Sequence, residues 1–155
     1  HPKTRQLYVN ETFARRLTRF DVANDGSLTN KTTVATFGKG TFPDGLTFDT
    51  EGGVWITSIV SNRVIRVGPD GGSEMILEDA DPEYLNWVEQ AYQEGTMGRE
   101  HLDRATGKRL SNISSLAFGG PDLKTVYLGS LQGRTISTFR SEIAGLTPYH
   151  WNFNR

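Results

Sequence analysis

The chain has 155 residues, 17 glycines, no cysteine and a formal net charge of −1. The near-neutral charge gives no electrostatic argument for nucleic acid or a membrane surface as a partner, and the absence of cysteine excludes disulfides and thiolate chemistry. No apolar run approaches the roughly 18–20 residues that span a bilayer. We therefore expect a soluble, turn-rich protein, with a cytoplasmic location slightly favoured over a secreted one.

The first part of the chain alternates short apolar runs with turn signals. Residues 6–12 and 16–22 read as two strands, and residues 32–37 read as a third. Before the third run lies Asn-Asp-Gly at residues 24–26, where the glycine supplies the positive φ that a tight hairpin turn needs. The pattern predicts the second, third and fourth strands of a four-stranded unit.

Two further copies of this unit follow along the chain. One starts at residues 42–49 and the other at residues 114–122, and each continues into two more apolar runs. A repeated unit of three or four strands is typical of a β-propeller, with one blade per unit. We predict an all-β fold, a partial propeller with blades at about residues 1–41, 42–80 and 111–145.

The stretch between the second and third blades, about residues 81–110, has helical signals instead. Asp81 is a good helix N-cap, Pro82 suits the first helical position, and Gly95 is a suitable C-terminal stop. We predict a helical insertion, with a weaker second helix over residues 99–105. The insertion joins the outer strand of one blade to the inner strand of the next. It is either a surface decoration or a lid or rim over a pocket.

About three blades cannot close a ring, because propellers typically have 4–8 blades. An open arc leaves sheet edges unpaired and prone to association. We expect either that the chain is a piece of a longer protein, which is the preferred reading, or that a second copy of the chain completes the ring. The expected macromolecular partner is therefore the missing propeller half or a second copy.

A family resemblance rests on Pro-Asp-Gly-Leu at residues 43–46, taken in order with residues 49–55 and 63–71. This combination resembles the senescence-marker-protein (regucalcin)/gluconolactonase family, and residues 118–128 resemble that family's late-blade motif. Members are six-bladed propellers that hydrolyse sugar lactones or related esters with one divalent cation in the central channel. The resemblance implies that this chain is the C-terminal half of a six-bladed propeller.

Asp44 is the candidate catalytic residue and cation ligand. The resemblance assigns the aspartate of the Pro-Asp-Gly motif to the metal, with a role in activating water, and it places the family's other ligands before His1. One ligand alone should not hold a cation tightly, and the cation (Ca, Zn, Mn or Mg) is left open. Pro-Asp-Gly is also a common turn in which the aspartate caps its own loop. The resemblance favours the metal role over this local one.

Three polar residues, Ser114, Asn62 and Glu11, are the candidate substrate-binding residues. Ser114 holds in the third blade the place that Asp44 holds in the second. Asn62 and Glu11 lie in loops between second and third strands, which leave the sheet on the same face. The alternative for each is a solvated loop residue.

Two functions from different classes follow. The first is a metal-dependent sugar-lactone or ester hydrolase of the gluconolactonase type, acting on a small-molecule lactone or ester, in a truncated or ring-incomplete form. The alternative is a non-catalytic propeller segment that acts as a binding or assembly module. A strictosidine-synthase-like propeller would share the blade pattern, but Phe-Gly-Gly-Pro-Asp at residues 118–122 argues against it.

Overall fold

Three antiparallel sheets make up the strand structure of a computed structural model that describes residues 1–105 and 107–152. The first sheet contains β1 (Gln6–Glu11), β2 (Arg16–Val22) and β3 (Leu28–Thr36). The second contains β4 (Phe42–Phe48), β5 (Val54–Ile59), β6 (Arg63–Val67) and β7 (Ser73–Glu78). The third contains β8 (Ile113–Gly119), β9 (Thr125–Ser130) and β10 (Ser137–Arg140). Each sheet pairs its strands in chain order, as a propeller blade does.

The first strands lie close to where the sequence predicts them, with one difference. β3 begins at Leu28, four residues before the predicted run, because β2 and β3 continue to pair across two register shifts. The predicted hairpin turn is present, and Gly26 adopts a φ of 85°. Within the described residues this sheet has no strand on the free side of β1.

The second sheet is covered on both faces, which explains its continuous apolar run. Every residue of β5 is buried, and its side chains alternate between the two faces. Val54 and Ile56 pack with Leu17 of the first sheet. Trp55 points the other way and meets Phe118 of the third sheet, with ring centroids 5.1 Å apart. The three sheets therefore stack face to face, like successive blades.

Asp49 fixes the turn between β4 and β5. It is only 1% exposed and accepts hydrogen bonds from the backbone N–H of Gly53, the indole N–H of Trp55 and the guanidinium of Arg66. Burial acts to raise the pKa of this carboxyl, but the three donors together outweigh it and hold the pKa below its usual value. The aspartate is a structural anchor of the second sheet.

The predicted helical insertion is present. It contains α1 (Pro82–Gln93) and the short α2 (Glu100–Asp103). Asp81 caps α1 by accepting hydrogen bonds from the backbone N–H groups of Glu83 and Tyr84, and Gly95 follows with a φ of 69°. In the described ranges, neither helix is long and apolar enough to cross a membrane. A 3₁₀ turn at Tyr149–Asn152 is the last described element.

The apolar face of α1 packs on the end of the second sheet at which β4 begins. Val88 is fully buried there against Phe42, Ile59 and Val60. Asp44 is the third residue of β4. The insertion and Asp44 therefore lie toward the same end of the second sheet.

An ion pair also ties α1 to the first sheet. Arg15, in the turn between β1 and β2, hydrogen-bonds Glu89 of α1 through both terminal nitrogens. Its guanidinium lies between the rings of Phe42 and Tyr92, 4.3 and 3.8 Å from their centroids. Glu89 also accepts the backbone N–H of Gly40. The insertion is thus fixed to two sheets at once.

Candidate functional site

Asp44 lies on a β-bulge of β4, the strand of the second sheet that contacts both β1 and β8. The ladder between β4 and β5 passes from Pro43–Ser58 to Leu46–Ile56, and the shift leaves Asp44 and Gly45 outside it. Bulges of this kind commonly re-aim a side chain beside an active site. Asp44 is exposed, so the bulge leaves its carboxylate accessible to solvent.

The carboxylate of Asp44 is available to bind a proton or a cation. Partial burial raises its pKa above the ordinary value, because removal from water disfavours the charged form, and burial is the sole cause of the shift. Within the described part of the chain, no donor hydrogen-bonds this carboxylate. A raised pKa and a free lone pair suit both a proton acceptor and a cation ligand.

The chain contains a second Pro-Asp-Gly, at residues 69–71, that shows what the tripeptide does as a turn. There Asp70 accepts the backbone N–H of Gly72 at 3.0 Å, and Gly71 takes a φ of 84° in the hairpin between β6 and β7. Asp44 lies on a strand, and Gly45 is not among the described positive-φ residues. Asp70 therefore caps a turn, and Asp44 does not.

Gly45 is required by a close approach of the third sheet. A Cβ at this position would lie 2.5 Å from the carbonyl oxygen of Ser114 and 2.7 Å from the Cα of Ser115. β8 has its own register shift between Ile113 and Ser115. The structure therefore places the bulge of Ser114 directly against the bulge of Asp44, the two positions that the sequence treats as equivalent.

Glu11 has a different environment from the one that we expected. Its carboxylate accepts hydrogen bonds from Arg16 and Thr18, which, together with a lesser attraction to Lys31, lower its pKa to about 2. All three partners belong to the first sheet. Since side chains alternate along a strand, Glu11 lies on the face of that sheet opposite to the one that packs on the second sheet. The structure does not bring it to Asp44.

Asn62 is a structural residue in this fold, which corrects its expected place in a substrate site. It is fully buried. Its amide nitrogen donates to the carbonyls of Asp79 and Leu110, and its Oδ1 accepts the backbone N–H of Ile113 at 3.0 Å. The residue closes the base of the insertion, where the chain leaves β7 and returns to β8, and its polar atoms are occupied.

Asn112 completes the same junction from the other side. It is fully buried, its Oδ1 accepts the backbone N–H of Val60 at 2.8 Å, and its Nδ2 donates to the carbonyl of Leu102 at 2.7 Å. Val60 has a φ of 71°, which is unusual for a β-branched residue. The hydrogen bond that Val60 donates to Asn112 holds this strained turn beneath the insertion.

Asn10 is the residue that the sequence reasoning missed. It precedes Glu11 on β1 and points to the opposite face, where its Nδ2 donates to the carbonyl oxygen of Asp44 at 2.8 Å. The alternation of strand side chains, applied to residues 8–11, would have found it. Tyr8 of the same face packs against the second sheet, so Asn10 must face that sheet too.

The described residues do not form a complete metal site. Among them, no group of three or more histidine, cysteine, aspartate or glutamate side chains could hold a metal ion. Asp44 fits such an ion as one oxygen ligand. The insertion packs against Phe42, Ile59 and Val60, and it leaves Asp44 exposed.

Three solved structures share this fold. The chain aligns with a luciferin-regenerating enzyme at a TM-score of 0.60 and 19% identity, covering 92% of this chain and 43% of that one. It aligns with a candidate gluconolactonase at 0.58 and 20%, covering 92% and 37%. It aligns with the calcium-binding protein regucalcin from Agrobacterium tumefaciens at 0.56 and 17%, covering 93% and 44%.

At sequence identities this low, the three alignments establish the fold and not the function. The fold is part of a β-propeller. The chain spans less than half the length of each of the three proteins. The model of one protein family, the SMP-30/gluconolactonase/LRE-like region, matches residues 1–78, half of the chain. That match includes the Asp44 bulge and the first two sheets. The chain therefore belongs to the SMP-30/gluconolactonase/LRE-like family of β-propeller proteins.

Proposed function

We propose that this chain is part of a metal-dependent hydrolase of sugar lactones or related esters, in which Asp44 is a cation ligand and the catalytic base. The observation that carries the proposal is the uncommitted carboxylate of Asp44 on the bulge of β4. The same tripeptide at residues 69–71 uses its aspartate to cap a turn. This contrast supports a role for Asp44 other than turn formation.

Asp44 can perform the proton transfer that lactone hydrolysis needs. As the oxygen of a water molecule adds to the lactone carbonyl carbon, the carboxylate takes a proton from that water. The carbonyl carbon to ring oxygen bond then breaks, and the ring oxygen leaves with the proton that the Asp44 carboxyl returns, which gives a hydroxy acid and the free carboxylate again. A pKa raised by partial burial makes the carboxylate a stronger base for this step. A divalent cation, when bound, would polarise the carbonyl.

We propose that the complete site takes ligands from more protein than the described residues. Because Asp44 fits as one ligand and the described residues supply no full set, we propose that the missing propeller half or a second copy of the chain contributes the remaining oxygen ligands. Calcium, zinc, manganese and magnesium are all candidates, since carboxylate and amide oxygens suit hard divalent cations. The substrate partner is a small lactone or ester.

A two-step experiment tests this proposal. Native mass spectrometry with each cation identifies the assembly that carries one, and lactone hydrolysis is then measured on that assembly for the wild type, Asp44→Asn and Asp70→Asn. Loss of a general base typically costs 10²–10⁴-fold in rate, so we expect a loss of about this size for Asp44→Asn and none for Asp70→Asn. A cation-loaded assembly that is inactive, or equally active with Asp44→Asn, contradicts the proposal.

The second candidate function is a non-catalytic binding or assembly module. It is favoured by the incomplete ligand set of the described residues and by the free side of β1. An unpaired strand edge is a template for pairing with another chain. This alternative predicts a stable complex that neither binds a cation nor loses any property when Asp44 is replaced by asparagine.

A further inference from the structure

Asn10, near the end of β1, hydrogen-bonds the bulge that carries Asp44 from the neighbouring sheet. Its Nδ2 donates to the carbonyl oxygen of Asp44 at 2.8 Å and to that of Gly45 at 3.4 Å. The bulge removes these two residues from the ladder with β5. A backbone carbonyl without a ladder partner needs another donor. Asn10 supplies that donor from a different blade.

The orientation of the Asn10 amide follows from its neighbours. Both atoms that it meets on β4 are acceptors, so the NH₂ group must face them. The Oδ1 atom then points away, and it is buried without a hydrogen-bond partner among the described residues. A buried acceptor without a partner destabilises a folded chain. Packing alone therefore does not explain an amide at this position, whereas the two hydrogen bonds to β4 do.

The main chain of the bulge determines the position of the Asp44 carboxylate. No described donor holds the carboxylate itself, so its position follows that of its own main chain. The Gly45 N–H donates to Thr57 Oγ1 at 3.1 Å. The backbone of Ser114 approaches Gly45 so closely that it leaves no room for a side chain there. The carbonyl of Asp44 is held from the first sheet, by Asn10.

We propose that Asn10 is a positioning residue for Asp44, which acts by fixing the bulge from the first sheet and does not itself touch the substrate. This inference rests on the proposed catalytic role of Asp44. It means that the first blade contributes to the site in the second blade through a main-chain contact. Misplacement of a reacting group by about 1 Å can cost a hundredfold in rate.

The test compares Asn10→Ala with Asn30→Ala in the full chain and its cation-bearing assembly. Asn30 is an asparagine of the same sheet whose Nδ2 donates to Asp21 of the first sheet and not to β4. We expect Asn10→Ala to move the backbone carbonyl ¹³C resonance and the side-chain carboxyl ¹³C resonance of Asp44. We also expect it to lower kcat roughly ten- to a hundredfold with KM nearly unchanged. Asn30→Ala should do neither.

Asn10→Ser is the second variant, in case Asn10→Ala does not fold. Its shorter hydroxyl retains one donor, so its resonance shifts and rate loss should be intermediate. The positioning role is overturned if both Asp44 resonances stay where they are in Asn30→Ala, or if they move while kcat stays unchanged. If the wild-type assembly hydrolyses no lactone, the proposed function fails. The carboxyl resonance of Asp44 then still decides whether Asn10 places that group.

Discussion

Arg15 fixes the helical insertion to the first sheet, and its replacement by alanine should release the insertion. The side chains of Arg15 and Glu89 are 11% and 3% exposed, so water screens their attraction little. Removing one partner of a buried pair typically costs about 3–5 kcal/mol, because the other charge is left buried. Glu89 would keep the N–H of Gly40. We therefore expect a loss of about 3 kcal/mol in the free energy of unfolding for Arg15→Ala.

Part of that loss comes from the two aromatic rings around the guanidinium. Stacking on Phe42 and Tyr92 contributes about 0.5–2 kcal/mol per contact when it is desolvated. A double variant, Arg15→Met with Glu89→Gln, removes both charges and retains both the apolar volume and an acceptor for the Gly40 N–H, so it should lie closer to the wild type than Arg15→Ala does. This comparison separates the cost of the unpaired charge from the cost of lost packing.

Urea denaturation followed by tryptophan fluorescence measures the stability, and hydrogen exchange of residues 82–93 measures release of α1. The control is Arg99→Ala, which breaks an exposed pair with Asp103. Such a pair contributes about 0.3–0.5 kcal/mol. A loss below about 1 kcal/mol for Arg15→Ala, with unchanged exchange in α1, would refute the reasoning that this ion pair holds the insertion.

Three other predictions concern stability and titration. Asn112→Ala should lower the free energy of unfolding by about 1–3 kcal/mol, because it leaves the buried N–H of Val60 unpaired, whereas the Leu102 carbonyl keeps its hydrogen bond from Gln132; in a urea titration, a cost no larger than that of the exposed-site variant Asn30→Ala would contradict this. Asp44→Asn should raise the urea midpoint at pH 7. The pKa of Asp44 is raised by partial burial, so its stabilising contribution is present below the unfolded value of about 3.9 and lost as the pH rises through the folded pKa; a lower midpoint would be the contrary result. Hydrogen bonds from Arg140 lower the pKa of Asp122 to about 2, so the stabilisation by this pair is present above about pH 4 and lost as the pH falls toward 2; an NMR titration in which Arg140→Ala does not raise that pKa would exclude this cause.

The local elements could be predicted from the sequence because their signals are local. The N-cap Asp81, the Pro82 that follows it and the terminal Gly95 specify α1 within a few residues. The apolar runs with their turn residues specify the order of the strands. The start of β3 is less clear, because the polar residues around Asn30 read as a loop although Leu28 and Thr29 pair with β2.

The candidate site could be predicted only in part, because it depends on contacts between sheets. The Pro-Asp-Gly motif occurs twice, and only the fold shows that Asp44 lies on a bulge while Asp70 caps a turn. Asn62 looks like a loop residue until the returning chain surrounds it. The pairing of Arg15 with Glu89 joins residues 74 positions apart, and no periodicity connects them.

The most direct test of the account is paramagnetic broadening of backbone amide resonances on titration with Mn²⁺. This measurement detects the weak binding expected of a single ligand. We predict that broadening centres on Asp44, Gly45 and Ser114, is lost in Asp44→Asn and is retained in Asp70→Asn. Broadening that is unchanged in Asp44→Asn, or that centres on the acidic start of α1 near Glu83, would contradict the claim that Asp44 is the cation ligand of this propeller.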